Sequence, residues 1–325
     1  MATRTMLQAL NLALAQEMER DPEVVVLGED VGINGGVFRV TEGLQQRFGE
    51  RRVIDTPLAE SGIIGTSIGL AISGLKPVCE IQFAGFIAYG IHQIESHAAR
   101  IRNRTRGRYT CPMVLRAPYG AGVGAPEHHS ESREALFAHT PGLKMVIPST
   151  PRNARALLVS AIRDPDPVIF FEPAAAYRAL REEDPDEEET LPIGRAEVVR
   201  EGRDITLIAY GAMLHTTLAA AEQLAKGGIR AEVVDLRTIA PLDAETTAES
   251  VRKTSRAVVV HEAPRTCGVG AEVIACLVEK VFLHLAAPIR RVTGFDVPTP
   301  YAARERAYLP NVARIVRAAE ETLAF

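Results

Sequence analysis

An α/β fold in two domains is predicted by three features of the sequence. Short, wholly apolar runs, too brief for helices, alternate with segments of helical period, the pattern of a mostly parallel sheet covered by helices. The pattern occurs twice, once up to about residue 171 and again from Ile205. Between the two copies the composition changes abruptly: from Glu182 to Glu189 every residue except Pro185 is acidic, which cannot build a core and reads as a linker. The expected division is residues 1–180, an acidic linker over 181–191, and a second domain over 192–325, and 325 residues suit two such domains.

Met6, Leu7, Leu10, Leu14 and Met18 share one face at helical spacing, and Asp21-Pro22 ends that first helix. Val24 to Leu27 then form a buried strand closed by Gly28-Glu29-Asp30. Two carboxylates thus fall at the carboxyl end of a strand, the edge where open α/β sheets bind ligands. Gly32, Gly35 and Gly36 mark a flexible loop before Val37-Phe38-Arg39. Val53 and Ile54 end another apolar run, Pro57 cannot donate to a ladder, and residues 61–73 read as a helix of small and apolar residues with Glu60 at its start. An acid there either complements the positive helix terminus or does chemistry, and local context does not separate the two. Gly65, Gly69 and Ser73 recur every fourth residue and leave one helix face bare enough for a close neighbour.

Pro77 to Phe83 is the next strand, carrying Cys79, Glu80 and Gln82, and a helix is expected from about Phe86 to Arg102 with Gly85 between them. Phe86 therefore stands at a strand-to-helix junction, where a ring can stack on a flat ligand or join the core. Gln93 and His97 lie four apart on one face but lack a carboxylate in register, which makes a poor metal site. Arg100, Arg102, Arg104, Arg106 and Arg108 alternate without interleaved aromatics, so they suit a solvated loop that meets a partner subunit or an anionic group rather than a nucleic acid. After a strand at Met113 to Leu115, Tyr119 to Gly124 is a glycine loop without the Gly-Lys-Ser/Thr of a phosphate loop. It leads into Glu127-His128-His129-Ser130-Glu131-Ser132, the densest cluster of titratable groups in the chain. Adjacent histidines cannot face one metal from a helix, so the cluster reads as acid/base or substrate-orienting chemistry, or as an ordinary surface loop.

Val146-Ile147 and Val168 to Phe171 are further strands around a helix from about Arg152 to Ile162. In the second domain, Ile205 to Gly211, Glu232 to Leu236 and Ala257 to Glu262 are strands alternating with helical segments. Gly268-Val269-Gly270 after His261-Glu262 either opens an anion site at a helix start or, the preferred reading, allows tight helix-to-sheet packing. Asp296 to Pro300 is a turn-rich crossing before a last helix that begins after Pro310.

A net charge of -4 with pI near 6.1 argues against nucleic acid as the main partner. No run reaches ~18 uninterrupted apolar residues, so a membrane span is not expected. Cys79, Cys111, Cys267 and Cys276 form no CxxC pair, and no signal-peptide pattern opens the chain, so reduced thiols in a cytoplasmic protein are expected.

Eight blocks occur in order along nearly the whole chain: Gly28-Glu29-Asp30-Val31, Gly35 to Arg39, Asp55 to Glu60, Phe83 to Phe86, His129 to Ser132, Phe137 to Gly142, Phe170 to Pro173, and His261 to Pro264. Together they resemble the E1 β subunits of thiamine-diphosphate-dependent 2-oxo acid dehydrogenases. The resemblance implies a transketolase-like pyrimidine-binding domain, doubly wound on a mostly parallel sheet, followed by a transketolase C-terminal-like α/β domain. It implies that Glu60 hydrogen-bonds N1′ of the aminopyrimidine, favouring the imino tautomer, with burial raising its pKa enough to hold that proton. Phe86 matches the aromatic that stacks on the pyrimidine, and Glu29, Leu58 and Gln82 match positions lining the same half of the cofactor. His129 matches the histidine that faces substrate and handles protons or guides the lipoyl arm, whereas His128 has no counterpart.

The resemblance further implies a potassium site of mostly main-chain oxygens near Cys111, Met113, Val114, Ala161, Asp164 and Asp166. The chain lacks the Gly-Asp-Gly and following Asn with which the family holds Mg²⁺ and the diphosphate. It therefore resembles half of a site, completed by an E1 α subunit in an α2β2 heterotetramer and serving a lipoyl-bearing E2 acyltransferase. Gly35 to Arg39, Pro57 to Glu60, and Phe171 to Pro173 with Tyr177-Arg178 look more like members acting on branched-chain 2-oxo acids than on pyruvate or acetoin. A non-catalytic α/β assembly subunit is the alternative from another class. A self-contained transketolase-like enzyme is disfavoured by length and by the missing metal motif.

Overall fold

In the computed structural model, residues 2–325 are described, apart from the side chain of Glu127. After a short first strand, β1 (Ala2–Thr5), six strands build the first sheet: β2 (Val24–Gly28), β3 (Val53–Asp55), β4 (Lys76–Glu80), β5 (Val114–Tyr119), β6 (Lys144–Val146) and β7 (Val168–Pro173). They lie in the order β6-β7-β5-β4-β2-β3 with every neighbouring pair parallel. All residues of β2, β5 and β7 are buried, in keeping with the apolar runs that mark these strands, although β5 and β7 also carry Arg116 and Glu172. The chain passes from β2 outward to β3 and then returns to the other side of β2 for β4. The carboxyl ends of these three strands therefore frame the point where strand order reverses, the usual binding crevice of such sheets.

The predicted first helix spans Met6–Arg20, opened by a capping box between Thr5 and Gln8, and its five predicted apolar residues are all buried. It packs on the Pro151–Arg163 helix, whose start carries a Thr150 cap and a proline in the first turn. The Glu60–Ile72 helix begins at Glu60 itself.

The second sheet has the order β14-β13-β10-β11-β9, from β9 (Glu197–Arg200), β10 (Ile205–Ala209), β11 (Ala231–Asp235), β13 (Ala257–Val260) and β14 (Arg290–Val292), with only β9 antiparallel. The remaining strand of the second half, β12 (Thr238–Ala240), pairs antiparallel with β6 and so adds a seventh strand to the first sheet. A helix over Ala302–Tyr308, not foreseen in the sequence, precedes the last one at Val312–Leu323.

Two expectations are corrected. The helix expected from Phe86 to Arg102 is broken into a 3₁₀ segment at Ala84–Gly90, a helix at Ile91–Ser96, a second 3₁₀ turn at Ala98–Arg100 and a short helix at Ile101–Arg104. The breaks fall at Gly90 (φ -112°) and His97 (φ -120°, ψ -72°), which leave helical geometry. Gly90 is forced by contact: a Cβ there would lie 2.3 Å from Cδ1 of Ile64. Gln93 and His97 consequently do not share one helix, and the His97 ring instead meets that of His92 at 5.3 Å.

The acidic stretch is not a free linker. Residues Arg181–Asp184 form a strand, β8, paired antiparallel with β1. Asp184 is fully buried against the equally buried Arg155, at 2.7 Å, and Arg155 also donates to the carbonyl of Glu187 at 2.9 Å. Arg152 binds Glu189 through two contacts of 2.8 Å, and Arg163 binds Glu188 at 2.7 Å. The acids that would repel one another alone are neutralised by arginines of the 151–163 helix, whose presence composition within 182–189 could not reveal.

Arg155→Met leaves Asp184 buried with only the long Arg4 contact of 3.4 Å to offset its charge, and is expected to cost about 3 kcal/mol. Arg317→Ala, which removes an exposed pair with Glu321, is expected to stay within about 0.5 kcal/mol of wild type. Urea midpoints of the purified chain check both, and equal effects would remove the structural role given to Arg155.

Candidate active site

A cleft of about 410 Å³ opens at the carboxyl edge of the first sheet, lined by Glu29, Leu58, Glu60, Gln82, Phe86 and Tyr89. Glu29 directly follows β2, Leu58 and Glu60 lie on the turn from β3 into the 60–72 helix, and Gln82 stands two residues past β4. Phe86 and Tyr89 project from the 84–90 segment. The loops are tied together by backbone groups: Asp55 accepts from the N–H of Gly32 at 2.6 Å and of Ile33 at 3.2 Å, and Thr56 N–H donates to the Gly28 carbonyl at 3.0 Å. Asp30, in the left-handed region at φ 57°, is exposed while Glu29 enters the cleft. The structure thus gathers the five residues proposed from the sequence to line a cofactor and adds Tyr89, which sequence reasoning did not single out.

His129 stands behind Phe86. Its ring lies 5.2 Å from that of Phe86 and 4.2 Å from that of Phe83, both edge-on. The aromatic contacts continue from Phe83 to Phe38 at 5.5 Å and from Phe38 to Tyr177 at 5.1 Å. The 84–90 segment reaches the turn at 127–129 because Gly85 has no side chain: a Cβ there would sit 2.2 Å from the carbonyl oxygen of His128. His129 Nδ1 is buried without a hydrogen-bond partner. The adjacent His128 is exposed, 3.6 Å from Glu131, so the two histidines are in different surroundings. The side chain of Glu127 lies outside the described residues.

Charge is concentrated in and under the cleft. Burial, and then the charges of Asp30 and Glu60, raise the Glu29 carboxyl above its ordinary value. Glu60 is half-buried, so the burial expected for it is not complete within this chain. Beneath the cleft, the fully buried Arg116 of β5 binds Glu172 of β7 through contacts of 2.7 and 2.8 Å and also binds Glu80 of β4, while Tyr177 O–H donates to Glu172. Burial keeps the Glu80 carboxyl raised despite Arg116. This network was not legible because its members are isolated polar residues on three separate apolar strands.

The lining suits a flat nitrogen heterocycle: two rings offer stacking faces, and Glu29, Glu60 and Gln82 offer acceptors and donors. Among the described residues no lysine or arginine lines the cleft, so nothing in it matches a diphosphate. A larger cleft of about 710 Å³, lined by Arg102, Arg106, Cys111, Lys144 and Asp166 among others, lies at the amino ends of the strands, away from the ligand-binding edge. There Asp164 binds Lys144 at 2.6 Å and Asp166 binds Arg102 at 2.6 Å. Cys111, Met113, Val114, Ala161, Asp164 and Asp166 are drawn to this edge, with the two carboxylates already paired. The five alternating arginines are all exposed.

The second domain contributes a buried group of its own. Glu262, at the end of β13, accepts from the N–H of Ala121 at 2.8 Å, and burial followed by the charges of Glu134 and Glu305 pushes its carboxyl up to about 8. Tyr210 O–H donates to the buried Glu134 at 2.8 Å. The buried His261 ring, pushed down to about 4 by desolvation, packs against Gly268 and Gly270; a Cβ at Gly270 would lie 2.8 Å from Nε2. Those glycines serve helix packing, as preferred from the sequence. No helix among the described residues is long and apolar enough to cross a membrane.

Residues 2–179 match the family model described as transketolase, pyrimidine binding domain, and residues 194–315 match transketolase, C-terminal domain. The chain is 51% identical over 325 residues to the pyruvate dehydrogenase E1 component subunit beta of Bacillus subtilis, covering all of both chains. It is 52% identical, again over the full length of both, to the protein of that name from Staphylococcus aureus strain Mu50. Among solved structures, a split-gene transketolase described as an inactive β4 tetramer aligns with a TM-score of 0.83 at 24% identity over 98% of each chain. A transketolase from Pichia stipitis in complex with sedoheptulose-7-phosphate aligns with a TM-score of 0.72 at 16% identity, over all of this chain and 46% of the other. These two likenesses establish the fold.

The raised Glu262 carboxyl carries a pH signature. Its folded value of about 8 lies above the ordinary 4.5, so the folded chain keeps a proton that the unfolded chain releases. The stabilisation is complete below the ordinary value and is lost as pH rises through the folded one, at up to about 1.4 kcal/mol per pH unit. Glu134 and Asp235 are raised in the same sense and stay in both proteins. Between about pH 5 and 8 the unfolding free energy of wild type should therefore fall relative to that of Glu262→Gln as pH rises, and parallel curves would contradict the burial effect.

Proposed function

Because the chain belongs to the E1 β subunits of the thiamine-diphosphate-dependent 2-oxo acid dehydrogenases, we propose that it acts with a separate E1 α subunit to decarboxylate pyruvate oxidatively and to acylate the lipoyl group of an E2 acyltransferase. The carrying observation is the cleft in which Glu29, Leu58, Glu60, Gln82 and Phe86 converge where strand order reverses. The pyruvate reading is supported by the names of full-length relatives at 51% and 52% identity. It replaces the branched-chain preference drawn from the sequence. Two of the residues behind that preference, Glu172 and Tyr177, belong to the Arg116 network and serve the framework.

Thiamine diphosphate, when bound, supplies a thiazolium carbon able to add to the 2-oxo acid and to accept the electrons left when carbon dioxide departs. In this proposal Glu60 hydrogen-bonds the pyrimidine N1′, beside the Glu29 carboxyl, which burial and then the charges of Asp30 and Glu60 raise. Phe86 offers the stacking face, Leu58 and Gln82 fix the ring edge, and His129 handles protons or guides the lipoyl arm from behind Phe86. Mg²⁺ and the diphosphate fall to the α subunit, consistent with a cleft lined by acids and no cation.

Association as α2β2 is supported by the apolar rim of the cleft, where Ile33, Leu58 and Tyr89 are 81%, 68% and 72% exposed. The face of the 60–72 helix at Gly69 has nothing within 4 Å, leaving room there for a partner. A potassium ion near Cys111 to Val114 and Ala161 to Asp166 would rest mainly on main-chain oxygens. Cytoplasmic location is proposed with the same family reading.

In the reconstituted enzyme, Glu60→Gln should lower kcat by about 10² to 10⁴ while the assembly remains intact; an unchanged rate would remove Glu60 from the chemistry. Pyruvate should be turned over with a higher kcat/KM than 4-methyl-2-oxopentanoate. The reverse order would restore the branched-chain reading, and turnover by the purified β chain alone would refute the half-site.

A further inference from the structure

The loop from Gly120 to Arg133 carries His129, yet much of its support comes from the second domain. Ala121 N–H donates to Glu262 at 2.8 Å, and Gly124 N–H donates to the two oxygens of Glu305 at 3.1 and 3.3 Å. Thr299 Oγ1 donates to the Ser130 carbonyl at 3.3 Å, and just beyond the loop Tyr210 O–H holds Glu134 at 2.8 Å. Gly120, Gly122 and Gly124 all have positive φ, at 85°, 100° and 70°, so the loop takes a course that ordinary residues resist. A Cβ on Gly120 would lie 2.7 Å from both carboxylate oxygens of Glu262, which shows how closely the loop is drawn onto that side chain.

We propose that Glu262, assisted by Glu305, is a positioning residue: through the 120–133 loop it sets the place of His129 behind Phe86. The proposal rests on the functional role given to His129 above. Glu262 does not line the cleft, so its effect is transmitted and not direct. The buried Ala121 N–H needs an acceptor wherever the loop goes, and that acceptor stands at the end of a second-domain strand. The placement of His129 therefore depends on how the two domains sit together. His129 N–H donates to the Pro126 carbonyl at 2.9 Å within the same loop, and its ring meets those of Phe83 and Phe86. The turn that carries it therefore moves as a unit, and the second-domain anchors to the loop backbone set where that unit sits.

The test is a double-mutant cycle in the reconstituted α/β enzyme with thiamine diphosphate, Mg²⁺ and pyruvate. Glu262→Ala is expected to lower kcat by about 10- to 100-fold, as small misplacements of a reacting group do. The loss should appear in kcat more than in KM. Glu262→Gln, which keeps an oxygen acceptor for Ala121 N–H, should restore kcat to within about 3-fold of wild type. In a His129→Ala background Glu262→Ala should add less than about 2-fold, because the residue it positions is gone.

An equal loss in both backgrounds, or no loss in the wild-type background, overturns the proposal. If His129→Ala alone leaves kcat unchanged, the role of His129 falls and the proposal falls with it. Inactivity of the wild-type assembly would instead refute the parent functional reading. Should Glu262→Ala fail to assemble, Glu305→Ala makes the same cycle at the Gly124 anchor, with the same expected non-additivity.

Discussion

The sheet of the first domain is buried on both faces, and that constraint organises the site. A parallel sheet covered by helices has no solvated face on which to carry polar side chains, so they are displaced to the strand ends. Where β2, β3 and β4 end around the reversal of strand order, backbone groups and acids gather at one edge. Glu29, Glu60 and Gln82 need no long loops to meet, because each stands within a few residues of its strand. The cofactor-sized cleft follows from strand order before it follows from any particular side chain.

The exceptions to that displacement sit just beneath the cleft. Arg116, Glu80 and Glu172 are charged residues inside three adjacent strands, tolerable only because they satisfy one another. Tyr177 joins this network and also carries the aromatic contacts that run through Phe38 and Phe83 to His129. The floor of the cleft is thus coupled by geometry to the His129 ring behind Phe86.

The fold and the gathering of the cleft residues were largely legible in the sequence. Unbroken apolar runs report strands buried on both faces, and a carboxylate following such a run reports a position at the sheet edge. Glu29 could be placed by that logic alone, whereas Glu60 read locally as a helix start and gained its role from the family resemblance. Tyr89 could not, because its exposure at the cleft depends on the break at Gly90, and that break depends on contact with Ile64 of another helix. The acidic stretch misled for a similar reason: its counter-charges lie on a helix that precedes it by some thirty residues. Glu262 and Glu305 escaped notice as parts of the site because they act on backbone groups across the domain boundary, an interaction that leaves no pattern in either segment.

Substrate preference was the least legible property, and the structure gives the reason. The blocks that suggested it contain residues of the framework, such as Glu172 and Tyr177, or of the cleft lining, such as Leu58 and Glu60. None of these must change when a substrate side chain gains a methylene, a difference that alters binding by only about 1–3 kcal/mol in an apolar pocket. A cleft with an exposed apolar rim and no cation is an incomplete enclosure. In the proposed α/β assembly, its remaining wall, and with it most of the discrimination between small 2-oxo acids, would come from the subunit that covers Ile33, Leu58 and Tyr89. Framework blocks in this chain therefore report the family faithfully and the substrate poorly.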